Sequence, residues 1–330
     1  MPPVQYDVVG IGNAIVDVVS HADDAFIEEQ GLGKGLMTLI DADRAVSLYD
    51  AMGPGIEASG GSAGNTVAAL ARLGGRGCYI GKVRDDQLGQ IFRHDIRAAG
   101  VAYDTTMATD GPPTARCLIV VTPDAERTMN TYLGACLNLT PDDIDADTIA
   151  AAQVTYMEGY LWDPPEAKKA FLKAADIAHG ADRQVSISLS DPFCVDRHRE
   201  ELRDLVDGHI DILFANEAEI CSLYQVEDFD AAVEQVRGRC AIAALTRSEK
   251  GSVVVTADET VAVAADKPRE LVDTTGAGDY YAAGFLFGLT SGRSLTDCAR
   301  IGGIAAAEVI AHLGARPDTD LAALVREKLG

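Results

Sequence analysis

An α/β fold around a mostly parallel sheet is predicted by three features of the chain. Short β-branched apolar runs alternate with longer stretches of helical spacing, two stretches break that rhythm, and the C-terminal end turns wholly helical. Segments 6–12, 78–83, 154–159, 185–189, 210–215 and 241–246 read as buried strands, being short, largely apolar and bounded by turn residues. Between them, 63–73, 88–99, 165–179, 197–206 and 217–224 carry apolar residues at the spacing of one helix face. A hairpin-like pair within 252–263 precedes three helices at 277–291, 295–313 and 320–329. Segments 15–22 and 36–40, then 103–109, 116–121 and 128–133, alternate like strands of a separate sheet. Their insertion between βα units predicts a small β-sheet lid over the edge of the main sheet, supplied by about 14–40 and 103–135.

Composition narrows the function. The chain has 330 residues, 28 Lys plus Arg against 51 Asp plus Glu, and a net charge of −23, which disfavours nucleic acid and anionic membranes as partners. An apolar share of 47% supplies a sizeable core. The seven cysteines are scattered, odd in number and never spaced as Cys-x-x-Cys, so neither a disulfide framework nor a zinc site is expected. The start of the chain lacks the pattern of a signal peptide, and no run reaches the length of a membrane helix. A soluble cytoplasmic protein is the expectation. The acidic stretch 142–147 lacks the glycine and terminal glutamate of a calcium loop, and reads instead as capping of a helix start.

Residues 271–279, Leu-Val-Asp-Thr-Thr-Gly-Ala-Gly-Asp, read as running from a strand end through small residues into a helix marked by Ala282, Phe285, Leu286 and Leu289. Glycines before a helix leave N–H groups uncovered where the peptide dipoles are positive, a natural seat for phosphate. Asp279 falls in the first turn, where a carboxylate can take a proton from an attacking hydroxyl. A plain glycine turn with an acid complementing the dipole is the alternative. Gly60-Gly61-Ser62-Ala63-Gly64-Asn65-Thr66 likewise enters a helix; its glycines allow close approach, and Asn65 offers donor and acceptor to hydroxyls, although ordinary turn-and-cap chemistry explains the same residues. Gly10-Ile11-Gly12 follows a strand but lacks the third glycine of a dinucleotide fingerprint, which would fall at Ile15. Asp17, just past that strand, is suited to a vicinal diol. No Walker A sequence occurs, because Lys34 precedes Gly35 and Lys82 precedes Val83.

Together these segments resemble the PfkB (ribokinase-like) family of carbohydrate and nucleoside kinases over nearly the whole chain. Residues 273–279 are similar to its C-terminal signature. Gly60-Gly61 to Asn65, continuing through 68–74, 81–83 and 86–89, resembles its N-terminal signature, Asn216-Glu217-Ala218-Glu219 its Asn-x-x-Glu motif, and 246–251 its nucleotide loop. The resemblance implies one ribokinase-like catalytic domain over 1–330, a three-layer α/β/α sandwich with the small sheet as lid, using ATP and Mg²⁺. It implies Asp279 as general base and Thr275, Gly276, Ala277 and Gly278 as an anion hole. Asn13, Asp17, Gly61 and Asn65 would hold acceptor hydroxyls; Asn216, Thr246, Arg247 and Gly251 would border ATP; Glu219 would hold Mg²⁺ through water. A monovalent cation, commonly potassium, is implied beside Asp273, Thr275 and the 311–314 turn. Ser248 and Arg84 stand where the family often has glycine.

Residues 12–17 and 127–135 look more like adenosine-kinase-like members, implying transfer to a primary hydroxyl of a nucleoside; a ribokinase-, fructokinase- or 2-keto-3-deoxygluconate-kinase-type sugar acceptor is the alternative. Monomer and homodimer are both open, since the lid clasps a second copy in some relatives. Between 271 and 316 stand three basic residues (Arg293, Arg300, Arg316) and four acidic ones, so no lysine cluster awaits the phosphates. Helix-start amides and the metal must do most of the neutralising.

Overall fold

A computed structural model describes residues 2–124 and 126–329; residue 125, inside the expected 103–135 lid stretch, lies outside them. Numbered along the chain, the strands are β1 (Tyr6–Ile11), β2 (Ile15–His21), β3 (Met37–Leu39), β4 (Gly55–Gly60), β5 (Gly77–Ile80), β6 (Ala115–Val121), β7 (Arg127–Tyr132), β8 (Ala152–Glu158), β9 (Gln184–Ser188), β10 (Ile212–Asn216), β11 (Ile242–Thr246), β12 (Ser252–Val255) and β13 (Thr260–Val263). Eight of them form one sheet in the order β13-β12-β11-β10-β9-β8-β1-β5. It is parallel from β11 to β5; β12 alone runs against the rest, and β13, antiparallel to β12, runs with them.

The core shows why the parallel strands read as continuous apolar runs: both faces are covered. Neighbouring residues alternate sides. Val8, Val154 and Phe214 join one buried cluster with Tyr280, Phe285 and Ile301, from helices Ala277–Thr290 and Leu295–Val309. Val9, Met157 and Leu213 join the opposite cluster with Phe171, Leu205 and Ile220, from helices Pro165–Gly180, Pro192–His209 and Glu217–Tyr224. The period of two thus builds a helix–sheet–helix sandwich.

The second sheet has the order β3-β7-β6-β2-β4. Two expectations change here. Residues 55–60, not foreseen as extended, form edge strand β4, antiparallel to β2. Residues 103–109 are not a strand of this sheet. They lie beside β5, with isolated bridges Cys78↔Ala102 and Arg84↔Ala108, because the buried Tyr103 ring packs on Tyr79 and Phe92 and its hydroxyl donates to the Gly81 carbonyl at 2.9 Å. One face of the small sheet, with Val16, Val18 and Leu118, is buried against Leu48 of helix Ala42–Ala51 and Phe92 and Ile96 of helix Gln87–Ala98. The other carries Ile15, Asp17, Val19, Cys117, Ile119 and Met129, and turns toward the C-terminal ends of the parallel strands.

Much of the acidic excess sits at helix starts. The Asp23, Asp41, Asp86, Asp145, Asp191 and Asp228 side chains each accept an N–H of their helix's first turn. The Asp191-Pro192 start explains why helix Pro192–His209 begins before the expected 197. Within 142–147, Asp143 reciprocally caps Thr140 and Asp145 caps Ala146–Ala150, which is the capping reading. All seven cysteines are free thiols. Among the described residues no helix is long and apolar enough to cross a membrane.

Candidate active site

The chain leaves β1 for β5 on one side and later returns through β8 on the other, so the sheet's order reverses between β1 and β8. A crevice at the carboxyl ends of parallel strands opens at such a point. Asn13, two residues past β1, bridges it: its amide donates at 2.7 Å to Glu158, the last residue of β8. The other Glu158 oxygen accepts the Ala63 N–H at 2.8 Å. Glu158 therefore ties the Gly60–Thr66 segment to the crevice, and burial pushes its carboxyl up to about 7. Among the described residues, the buried Asn13 side-chain oxygen has no partner.

Gly61 begins helix Ser62–Arg72 at φ +84°, and a Cβ there would stand 2.1 Å from the Asn13 carbonyl oxygen. Only glycine allows that approach. Asn65 and Ser62, one helical turn apart, then meet Asp279 from across the chain. Ser62 Oγ donates to Asp279 Oδ1 at 2.6 Å and Asn65 Nδ2 to Oδ2 at 3.2 Å. The Asn65 amide is oriented by Arg316, whose Nε donates to its Oδ1 at 3.1 Å. Arg316 also reaches Ser59 Oγ at 3.3 Å. Burial pushes the Asp279 carboxyl up to about 6, against the Ser62 and Asn65 hydrogen bonds and the Arg316 charge.

Asp279 lies in the first turn of helix Ala277–Thr290, whose N-cap Gly276 has φ +82°. A Cβ on Gly276 would come within 2.9 Å of Ala315 Cβ, so the loop rests directly on the 311–316 turn. Thr274 accepts the Ala277 N–H at 3.2 Å. Among the described residues, the N–H groups of Gly276, Gly278 and Asp279 have no protein acceptor. They form a patch of positive dipole beside the carboxylate. Asp273 precedes this loop; burial would raise its carboxyl, but Thr275, the Gly314 N–H and Arg127 hold it below the usual range.

Asp17 faces the same crevice from the small sheet. Among the described residues no protein donor hydrogen-bonds its carboxyl, which burial pushes up to about 6 against the charges of Arg127 and Arg316. Farther along the sheet, Asn216 ends β10 and pairs with Glu219 in a reciprocal cap: Asn216 Nδ2 to Glu219 Oε1 is 2.6 Å and Asn216 N to Oε2 is 2.9 Å. Burial, with the Asp191 charge added, pushes Glu219 up to about 7. Thr246 ends the adjoining β11. Arg247 and Gly251 close the following turn, the Arg247 N–H meeting the Gly251 carbonyl at 2.7 Å, with Ser248 at φ +50°. That left-handed backbone is where glycine is the easier residue. The Arg247 guanidinium turns aside, pairing with Glu217 at 3.0 Å over the Phe229 ring. Arg84 donates to the Gly111 carbonyl.

The residues singled out from sequence thus fall into two groups. Asn13, Asp17, Gly61, Asn65, Asp273 and Thr275 to Asp279 converge on the crevice, while Asn216, Glu219, Thr246, Arg247 and Gly251 line the ends of the neighbouring strands. Ser62, Glu158, Arg127 and Arg316 were not foreseen. A charged residue ending an otherwise apolar strand was the available signal for Glu158; the others show only through partners far away in the chain.

The family model described as pfkB family carbohydrate kinase matches residues 53–321. A structure of adenosine kinase from Sinorhizobium meliloti is 56% identical at a TM-score of 0.91, covering 98% of this chain and 100% of that one. A structure of a probable sugar kinase protein from Rhizobium etli CFN 42 is 53% identical at a TM-score of 0.91, covering 98% and 99%. Adenosine kinase of Saccharomyces cerevisiae is 26% identical over 329 residues, 93% of this chain and 95% of that protein. With signatures, fold and matched span in agreement, the chain belongs to the pfkB family of carbohydrate kinases.

Proposed function

We propose that this kinase transfers the γ-phosphate of ATP to the primary hydroxyl of a nucleoside, adenosine foremost. The observation that carries the acceptor reading is the crevice face of the small sheet. There the unpartnered Asp17 carboxyl is flanked by Ile15, Val19, Cys117, Ile119 and Met129. A nucleoside needs such a combination, an acceptor of two hydroxyl hydrogens for its ribose diol and an apolar wall for its base. A free sugar needs more converging polar groups. Similarity to the Sinorhizobium adenosine kinase supports the same reading, and similarity to the Rhizobium probable sugar kinase keeps a sugar acceptor as the second.

In this reading Asp17, Asn13, Gly61 and Asn65 hold the acceptor with its primary hydroxyl toward Asp279. Asp279 accepts that hydroxyl's proton as the oxygen attacks in line. The open amides of Gly276, Gly278 and Asp279 receive the negative charge spread over the transferring phosphoryl oxygens, whereas the Thr275 and Ala277 amides expected in the anion hole are already engaged by Asp273 and Thr274. Asn216, Thr246, Arg247 and Gly251 border the nucleotide, with Arg247 released from Glu217 or acting from where it stands. Glu219 fits a hydrated Mg²⁺: it is a buried carboxylate with no cationic partner among the described residues, and each oxygen keeps a lone pair free for a water. When bound, that ion neutralises phosphate charge.

Two results follow. Because Asp279 must be ionised to act as base, kcat/KM is expected to climb about tenfold per pH unit below about 6 and to level off above it. A flat profile between pH 5 and 7 contradicts that role. ADP release measured with adenosine, other nucleosides, ribose, fructose and 2-keto-3-deoxygluconate is expected to be fastest with adenosine. A free sugar working where every nucleoside fails makes the protein a sugar kinase.

A further inference from the structure

We infer that the Arg127 guanidinium is a cation built into this chain, standing beside Asp273 where a monovalent ion would otherwise sit, so that turnover proceeds without potassium. The inference rests on the phosphotransferase reading of Asp279 and its loop, and not on which acceptor is used.

An ionised carboxylate offers about four lone-pair positions. At Asp273 all are taken. Oδ1 accepts from the Thr275 N–H at 2.9 Å and the Thr275 hydroxyl at 2.7 Å; Oδ2 accepts from the Gly314 N–H at 2.8 Å and from Arg127 Nη1. A potassium ion bound to this carboxylate would have to displace a donor and then sit against a positive charge already in contact. The Arg127 and Asp273 side chains are only 8% and 9% exposed, so water does not compete for the pair. A donor set completed in this way does not fit the monovalent ion that the family resemblance implies.

The pair also joins parts of the molecule that are otherwise separate. Arg127 opens β7 of the small sheet, Asp273 precedes helix Ala277–Thr290, and the two stand 146 positions apart. A Cβ on Gly314 would stand 3.8 Å from Arg127 Nη1, so the guanidinium rests on the 311–316 turn that also supports Gly276 through Ala315. One side chain thus links the sheet that carries Asp17, the turn, and the loop whose amides face the phosphate. Arg127 acts through Asp273 and is a positioning residue. The same contact sets the loop's shape and the height of the small sheet above it.

The test compares potassium with choline at equal ionic strength, in the full chain. The parent rate is expected to agree within about twofold in the two salts, and thallous ion, followed by ²⁰⁵Tl NMR as a potassium probe, is expected to show no saturable binding. Arg127→Ala is expected to lose about tenfold or more in kcat in choline with the KM for ATP little changed, and to regain much of it when potassium or guanidinium is added. Such rescue would not follow from a purely structural role. A parent activated about tenfold by potassium, or one that binds thallous ion saturably, overturns the inference, as does an Arg127→Ala variant that equals the parent or is not rescued. If that variant does not fold, the two measurements on the parent decide alone. Thallous-ion binding needs no acceptor, so an enzyme silent with every acceptor refutes the phosphotransferase reading and leaves the ion measurement readable.

Discussion

Asp279→Asn is expected to lower kcat by about 10²–10⁴-fold while the KM for ATP changes by no more than about twofold, the span typical of removing a positioned general base. The asparagine keeps the shape and the Ser62 contact, but it cannot take a proton. It also presents an amide toward Asn65 Nδ2, which Arg316 holds as a donor by engaging the Asn65 oxygen. Stability supplies an internal control. The Asp279 carboxyl is raised from 3.8 to about 6 in the folded protein, so folding favours its protonated form. That stabilisation is fully present below about 4 and is lost as pH rises through about 6. The variant lacks this titration, so its melting temperature should gain on the parent's between pH 5 and 8. Turnover within about tenfold of the parent, in a variant that melts normally, removes Asp279 from the chemistry.

Gly276→Ala is expected to cost about 10²–10³-fold in kcat, comparable with losing a donor that stabilises a developing oxyanion. Two effects act at one atom. The φ of +82° costs an alanine about 1–2 kcal/mol, and the new methyl would stand 2.9 Å from Ala315 Cβ. The loop can relieve both only by moving away from the 311–316 turn. That movement turns the open N–H groups of Gly276, Gly278 and Asp279 off their aim. In the proposed reading the acceptor is held by Asn13, Asp17 and Asn65 from other elements, so the acceptor KM should stay within a few-fold of the parent's. A variant with parental kcat would show that these amides do not carry the phosphoryl charge.

Local patterns made the main sheet and its helices legible, because each βα unit announces itself by a change from a short, largely apolar run to apolar residues spaced along one helix face. The two glycine-helix starts were legible for the same reason. What stayed hidden has physical causes. Strand β4 is Gly-Ile-Glu-Ala-Ser-Gly, bounded by glycines and with an Ile56 that is 75% exposed, so it carries no alternation of its own. Segment 103–109 has strand-forming residues, yet the burial of Tyr103 fixes it to β5 and leaves it without a continuous ladder. Short helices such as Asp24–Glu29 and Ala42–Ala51 are set by an aspartate cap more than by an apolar stripe. Beyond these lie partnerships that no local window contains: Ser62 with Asp279, Asn13 with Glu158, Arg316 with Asn65 and Arg127 with Asp273. Family resemblance supplied the roles of the crevice residues, whereas the contacts that hold those residues in place came from the fold alone.

The acceptor is the centre of the account, and competition measures it most directly. With ATP, adenosine and fructose together at equal concentration, the ratio of phosphorylated products gives the ratio of their kcat/KM values. The crevice face around Asp17 predicts the 5′-phosphorylated nucleoside in excess by about two orders of magnitude or more, since a sugar leaves the apolar wall unfilled. A mixture dominated by sugar phosphate would contradict it.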